Sequence, residues 1–323
     1  MQQAITGIGK KLNFKFTTEY AILLAYVFLI IMFSFLSPVF FTVRNFLNIG
    51  LYCSVMGVTA VGMSIALLSG SFDLSVSSVM ALTGMVIART IPSNGSPIPA
   101  ILLGICIGVI CGFVNSVLIT KIKINPLIAT LGTMSIIRGF AYLSTNGTSI
   151  MIVNDGFKEI GRGYVLGIPA PVIIMVGFFI LGWVILEKTP FGRKVYSIGG
   201  NSTASYLAGI SVSKIRFIVF VLVGITASVS GILVTAQTGA GIPQASQGLE
   251  LDIIAACILG GISLSGGKGS ILGTFFGVLI LATLANGMVL LNVPSFWQMV
   301  AKGAALILAV VIDVVRGGGF ERF

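Results

Sequence analysis

The chain contains no histidine. That removes imidazole metal ligands, histidine proton relays and serine–histidine catalysis together, because each needs a ring nitrogen that titrates near neutral pH. Charge of either sign is scarce: 9% of residues are Asp, Glu, Lys or Arg, against about 25% in soluble domains. Acidic residues are the scarcer kind, 9 against 19 basic. An ion-coupled carrier needs paired carboxylates at mid-depth in the membrane, and only Asp73 is a loose candidate. The four cysteines (Cys53, Cys106, Cys111 and Cys257) form no CxxC pair and all sit in apolar runs. They read as small packing residues, so a membrane-embedded enzyme built on clustered His, Asp or Cys is excluded.

What the chain has instead is apolar length. Of 323 residues, 56% are hydrophobic, and mean hydropathy is +1.08. This is the composition of an integral membrane protein in contact with a lipid bilayer. The net charge of +10 then reads as basic cytoplasmic loops on an anionic leaflet, with no nucleic-acid partner. The first apolar run, from Tyr20, lacks a small-residue cleavage site and reads as a first anchor.

A membrane-spanning helix needs roughly 20 apolar residues. Ten candidates emerge: 20–37, 51–69, 74–90, 99–119, 126–144, 169–187, 215–235, 250–265, 270–291 and 295–313. Pro99, Pro126, Pro169 and Pro294 punctuate starts, where proline is tolerated. With the N-terminus inside, the inner segments hold Lys10, Lys11, Lys15, Lys121, Lys123, Lys188, Arg193, Lys194, Lys214, Arg216, Lys268, Arg316 and Arg322. The outer segments hold only Arg44, Arg89, Lys158 and Arg162. That bias predicts both termini in the cytoplasm. The close pairs of runs 51–90 and 250–291 admit re-entrant half-helices as an alternative. The organisation is a single membrane domain over 1–323, with a cytoplasmic tail at 1–19, a long cytoplasmic loop at 188–214 and a second tail at 314–323.

The stretch ILGGISLSGGKGSILGTFFG (258–277) combines glycine with one lysine. It is no phosphate loop, because GGKGS lacks the GxxxxGK[ST] spacing, so ATP hydrolysis is not expected of this chain. Gly260, Gly261, Ser263, Gly266, Gly267 and Lys268 predict a break in a short helix, where irregular backbone must be buried or line a cavity. Gly269, Gly273 and Gly277 recur every four residues and predict a packing stripe on the following helix. A weak counterpart, LLSGSFDLSVSSVMAL (67–82), lies 190 residues earlier and pairs Gly70 with Gly260 and Ser75 with Ser265.

Asp73 has two readings, a path residue or the N-cap of the span that follows. Arg138 lies deep in its span and either pairs with Asp73, lines the path or snorkels; Lys302 is expected to snorkel. Asn115 and Asn286 are lone polar groups in spans, where interhelical hydrogen bonds are the default and a path role the alternative. In GGNSTASYLAGI (199–210), Asn201 or Ser202 can cap a helix of about two turns that Gly209 ends. Flanked by Arg193–Lys194 and Lys214–Arg216, it reads as a docking element for a cytoplasmic partner.

The motifs SGSFDLSVSSVMALTG (69–84), NPLIATLGTMSIIRGFAYLSTNGTSI (125–150), TPFGRKVYSIGGNSTASYLAGISVSKI (189–215) and LELDIIAACILGGISLSGGKGSILGTFFG (249–277) resemble the sugar-type permeases of bacterial ABC importers, the ribose, xylose, arabinose and galactoside permease family. Members usually carry a glycine-richer GGIDLSVGS where this chain has Ser69, Ser71 and Ser77.

The resemblance covers nearly the whole chain. It implies an all-α membrane protein of about ten helices with short broken helices, similar to the vitamin B12-type importer permeases. It also implies a permease homodimer working by alternating access in the cytoplasmic membrane, with an extracytoplasmic sugar-binding protein as a further partner. A separate ABC ATPase, which carries the ATP and magnesium, would dock on Gly192, Arg193, Gly199, Gly200, Asn201, Ser202, Ala204, Ala208 and Gly209. No cofactor is expected on this chain and no residue is expected to be catalytic. Path or gate positions would be Asp73, Ser75, Asn115, Arg138, Asn286 and the 260–268 break. A nucleoside, autoinducer-like sugar or branched-chain amino-acid permease of the same superfamily is the alternative.

Overall fold

The computed structural model describes residues 20–316. The tail expected at 1–19 and most of the second tail, from 317, lie outside the described residues. Among these residues thirteen helices follow one another: α1 (Tyr20–Leu36), α2 (Val43–Leu68), α3 (Val76–Thr90), α4 (Ile98–Thr120), α5 (Pro126–Leu143), α6 (Asp155–Arg162), α7 (Ala170–Trp183), α8 (Pro190–Gly200), α9 (Ser202–Leu207), α10 (Val212–Thr238), α11 (Leu249–Leu259), α12 (Ile271–Leu290) and α13 (Ser295–Arg316). Two-residue strands make two small antiparallel pairs. In one, β1 (Ile150–Met151) meets β4 (Ala240–Gly241); in the other, β2 (Tyr164–Val165) meets β3 (Ile168–Pro169).

Among the described residues six helical segments are long and apolar enough to cross a membrane: Val43–Leu68, Ile98–Thr120, Pro126–Leu143, Ala170–Lys188, Val212–Thr238 and Ile271–Leu290. Tyr20–Leu36, Val76–Thr90 and Ser295–Val311 are shorter apolar helices. The expected span 250–265 is helical only to Leu259. The expected span 51–69 starts earlier, at Val43, because Thr42 accepts from the Asn45 N–H at 3.3 Å and caps a helix there. Arg44, Asn45 and Asn48 dilute the apolar run and hide that start. Asn45 is buried because its amide donates to the Phe40 carbonyl at 3.0 Å and its oxygen accepts from Asn286 at 2.9 Å.

Helix α2 is the central post: 89% of its most apolar stretch is buried, against 28% for α5 and for α7. It packs antiparallel to α10. Thr59 donates to Ser230 at 2.8 Å, Ser230 to the Val55 carbonyl at 2.7 Å and Gln237 to Ser54 at 3.2 Å. Helix α4 crosses α10 where Gly108 meets the Gly224 carbonyl and Gly112 meets the Phe220 carbonyl. Side chains there would hold the backbones apart, and lipid offers no hydrophobic drive to bring helices together, so small residues set this approach.

Helix α3 runs parallel to α10, with Met80 beside Gly231 and Gly84 beside Thr235. Extending that register, Val76 faces the level of Ala227, near the middle of α10. Helix α3 therefore begins well inside the bundle. At one end of the molecule lie the end of α2, the end of α4, α8, α9 and the start of α10, where Ser213 donates to the Thr120 carbonyl at 3.3 Å. At the other end, α6 lies across the end of α10, held by Arg162 donating to the Gln237 carbonyl at 2.9 Å.

Candidate functional site

Two helix breaks and the α8–α9 loop converge at one place. The first break is Ser69–Ser75. Helix α2 ends at Leu68, Gly70 takes φ 74°, and α3 starts at Val76. The second runs from Gly260 to Ser270, after which Ser270 accepts from the Gly273 N–H at 3.1 Å and starts α12. The two are stitched together by the Gly267 N–H, which donates to the Leu68 carbonyl at 3.0 Å. A methyl group added at Gly266 would lie 2.9 Å from Gly70 Cα and 3.0 Å from Gly199 Cα. One added at Gly267 would lie 2.6 Å from Gly200 Cα. Backbones from α8 and from both breaks are thus in direct contact, and only glycine fits between them.

Further bonds tie the second break down. Tyr196 of α8 donates to the Gly269 carbonyl at 3.2 Å, and burial raises the pKa of its phenol, so it stays a donor. From α13, Asp313 accepts from the Leu264 N–H at 3.0 Å and from Ser263 Oγ at 3.2 Å. Lys268 is exposed, and its carbonyl accepts from the Ser263 N–H at 3.0 Å. It therefore sits at the end of the molecule that holds α8 and α9, whereas the half-helix reading allowed a mid-depth position. Of the glycines expected to form a packing stripe, Gly273 meets the Gly260 carbonyl and Gly277 the Ala256 carbonyl, closing α12 on α11. Gly269 is not part of that stripe. It precedes α12, has φ 130° and lies against Ile262.

In α8 and α9, Thr189 accepts from the Gly192 N–H at 3.2 Å to start the first helix, and Asn201 accepts from the Ala204 N–H at 2.9 Å to start the second. Gly209 follows with φ 83°. Gly192 lies close to the Leu186 carbonyl, where a preceding π-helical turn (Val184–Lys188) ends. Arg193, Asn201, Ala204 and Ala208 are exposed, Ser202 is half-buried, and Tyr206 and Leu207 are 71% and 80% exposed. Two large apolar side chains on a six-residue helix project away from the bundle. Beneath Tyr206 is a cavity of about 440 Å³ reaching Lys123, Asn125 and Arg216.

Asp73 is 2% exposed. Its Oδ1 accepts from the Ser75 N–H at 2.8 Å and from Ser75 Oγ at 2.6 Å, and its Oδ2 accepts from Asn115 Nδ2 at 3.0 Å. The same Asn115 amide reaches Ser75 Oγ at 3.0 Å. Asp73 therefore folds the break back and fastens it to α4, one turn before the helix it was expected to cap. Asn286 hydrogen-bonds across helices to Asn45.

Arg138 turns elsewhere. Its guanidinium donates to the carbonyls of Pro243 and Ala245 at 2.8 and 3.0 Å, and reaches Ser77 Oγ at 3.4 Å. Lys302, expected to snorkel, instead bridges Asp252 at 2.6 Å and reaches Tyr52 Oη at 3.3 Å. This cluster joins α2, α11 and α13. Sequence reasoning assigned no partner to Lys302 and no role to Tyr52, Tyr196, Asp252 or Asp313. The one available signal was Lys302 itself, a charge inside an apolar run.

The family model described as "Branched-chain amino acid transport system / permease component" matches residues 45–310. The chain is 44% identical over 287 residues to the ribose import permease protein RbsC of Bacillus subtilis, covering 88% of this chain and 89% of that protein. It is 43% identical over 298 residues to the RbsC of Escherichia coli K12, covering 90% and 92%. It is 41% identical over 280 residues to the L-arabinose ABC transporter permease protein AraH of Azospirillum brasilense, covering 86% and 82%. No solved structure matches the chain.

Proposed function

This chain belongs to the permease-component family of branched-chain amino acid transport systems, and on that footing we propose that it is the membrane subunit of an ATP-driven importer that moves a small neutral sugar, ribose or another monosaccharide. It is a transporter subunit, not an enzyme, and a multi-pass protein of the inner membrane. An ABC ATPase and a substrate-binding protein are its partners. The family description mentions amino acids, but ribose and arabinose permeases align over nearly their whole length, which favours sugar. The scarcity of charge along the chain supports the same choice, because a zwitterionic solute would need fixed counter-charges in its path.

The finer reading is as follows. The single domain crosses the bilayer about ten times in a fold similar to the vitamin B12-type permeases, with both termini inside. Two copies form a dimer. The ATPase carries ATP and magnesium and grips the surface from Gly192 to Gly209, where Tyr206 and Leu207 offer apolar contact. The breaks at 69–75 and 260–268, with Asp73, Ser75, Asn115 and Arg138 at the first, form the gated path, and Asn286 belongs to that path farther along α12, where it bonds Asn45 near the start of α2.

One observation carries this mechanism: Gly199 and Gly200 of α8 lie directly on Gly266, Gly267 and Gly70. Movement of the docked loop reaches both breaks through rigid backbone contact, with no soft side chain between to absorb it. Asp73 holds the first break to α4, so displacement is delivered to α3 and α12 as units.

The test is uptake of labelled ribose and arabinose into proteoliposomes holding this chain with its ATPase and binding protein. Uptake should require internal ATP. Uptake that persists without the ATPase and collapses with an uncoupler would falsify the reading in favour of an ion-coupled carrier.

A further inference from the structure

The segment between α10 and α11 is irregular at a depth where irregular backbone needs a reason. Gly241 lies against Ala88 and the Gly84 carbonyl, in the outer part of α3. From there the chain descends. Arg138 holds the Pro243 and Ala245 carbonyls while also reaching Ser77, one residue into α3. Met80 lies beside Gly231 and Gly84 beside Thr235, so Ser77 faces the level of Ser228. That is about 15 Å below the outer end of α10 at 1.5 Å per residue. The hydrocarbon core is about 30 Å thick, so the segment reaches toward its middle.

Lipid-exposed irregular backbone does not occur at such depth; it is buried in protein or lines a water-filled cavity. Pro243 and Gly241 are buried, but Gln244, Gln247 and Gly248 are exposed. The exposed side chains are amides, which lipid would not tolerate. The segment is a run of single turns. The carbonyls of Ile242, Gln244, Ser246 and Gly248 each accept from the N–H three residues on, at 3.0 to 3.4 Å, while those of Pro243 and Ala245 depend on Arg138. Ser246 adopts φ 59°, an unusual conformation for a non-glycine residue. Close by, Glu250 keeps one buried carboxylate oxygen without a hydrogen bond, within electrostatic reach of Arg138.

We propose that residues 241–248 are a re-entrant lining element of the translocation path, that Gln244 and Gln247 are its contacts for a neutral polyhydroxylated solute, and that Arg138 is the positioning residue that holds the element in place. An uncharged amide donates through its NH₂ and accepts through its oxygen, so it matches hydroxyl groups in either sense. It also binds without the strong attraction of a charge, which a conducting surface must avoid. Arg138 suits the positioning role because one guanidinium nitrogen holds both carbonyls while the other reaches Ser77 of α3, a pair of donors at fixed spacing that a single lysine ammonium does not offer. The solute class rests on the sugar-permease reading; the water-lined element does not.

The experiment uses the complete complex in proteoliposomes, with the four native cysteines replaced. Gln244→Cys and Gln247→Cys are treated with a membrane-impermeant thiosulfonate, and uptake of labelled ribose and arabinose is followed in parallel. Both cysteines should label, and labelling should stop uptake. Gln244→Ala/Gln247→Ala should lower uptake about tenfold, the loss of roughly one good hydrogen bond, while ATPase activity stimulated by the binding protein remains. Arg138→Lys should alter the labelling rate at position 247 with little change in thermal midpoint, which a purely structural arginine would not do.

Two unlabelled cysteines would overturn the lining element, whether lipid or a second copy covers them. Labelled cysteines with unchanged uptake in the double alanine variant would overturn the solute contacts. If the parent complex imports neither sugar, the sugar reading fails, and the labelling result still decides whether the segment lines an aqueous path.

Discussion

The N–H of Gly267 donates to the carbonyl of Leu68 at 3.0 Å, joining two helix breaks almost two hundred residues apart in the chain. Leu68 is the last residue of α2, so its carbonyl has no partner within the helix. A residue from the second break satisfies it, and α8 covers the joint through Gly199 and Gly200. The end of the central helix is thus completed by the segment that the docking loop touches.

Substituting this joint should uncouple transport from ATP use. Gly199→Ala would drive a methyl group into the Leu68 carbonyl, and Gly267→Ala would place one 2.5 Å from Gly200 N at φ 70°. Each costs about 1–3 kcal/mol of strain, relieved by moving α8 off the break. We expect ATPase binding to persist and uptake to fall by about tenfold or more. Pull-down and uptake on the same vesicles separate the two effects.

Docking itself should depend on α9. Asn201→Pro removes the cap that accepts the Ala204 N–H at 2.9 Å, and Ala208→Trp adds bulk on an exposed position. Loss of the cap alone costs about 1 kcal/mol, a large fraction of the stability of so short a helix. Both variants should insert normally and fail to retain the ATPase. Full retention by both would remove the docking assignment.

The Asp252–Lys302 bridge is 16% and 29% exposed at its two side chains and lies between α11 and α13. Lys302→Met should leave Asp252 a partly buried charge without its partner and destabilise the protein by about 1–3 kcal/mol, less than a fully buried pair would show. Lys302→Met combined with Asp252→Asn should recover much of that loss. Thermal unfolding in detergent of the two single variants and the double variant closes the cycle, and strict additivity would show that the contact contributes nothing.

Asn115 should matter through Asp73. Asn115→Asp would set a second carboxylate about 3 Å from the first in a site that is 2% exposed. Asn115→Ala merely removes one donor, at a cost of about 1–3 kcal/mol. The expected order of thermal stability is therefore native, then alanine, then aspartate. An aspartate variant as stable as the native protein would show that the two carboxyls share one proton.

Much of the architecture was legible along the chain. Apolar runs marked α1 to α5, α7 and α10 to α13, because each must bury or solvate in lipid a continuous apolar face and that demand is written locally, whereas the short polar α6 carried no such mark. The break after Leu259 was legible from Gly260 and Gly261, and the α9 cap from Asn201, since caps and breaks depend on residues close in sequence. Family membership followed from four motifs in order. The early start of α2 was hidden, because Asn45 is buried only through Asn286, far along the chain.

Which polar groups meet was not legible. Arg138 stood in the sequence as a charge in a span that could pair with Asp73, line the path or snorkel, and nothing local to it names Pro243 or Ala245. Lys302 was expected to snorkel, and Asp252 on another helix holds it instead. The packing of α8 glycines onto two breaks needed three backbones to converge. Composition and apolar run length set the class and the rough placing of the apolar helices, because those follow from each segment's own hydrogen bonds and its transfer into lipid. The pairing of charges and the contact between docking loop and gate arise from helix packing, whose angles and registers depend on close approaches such as Gly108 to Gly224. Such an approach is a property of two surfaces together, and neither surface states it alone.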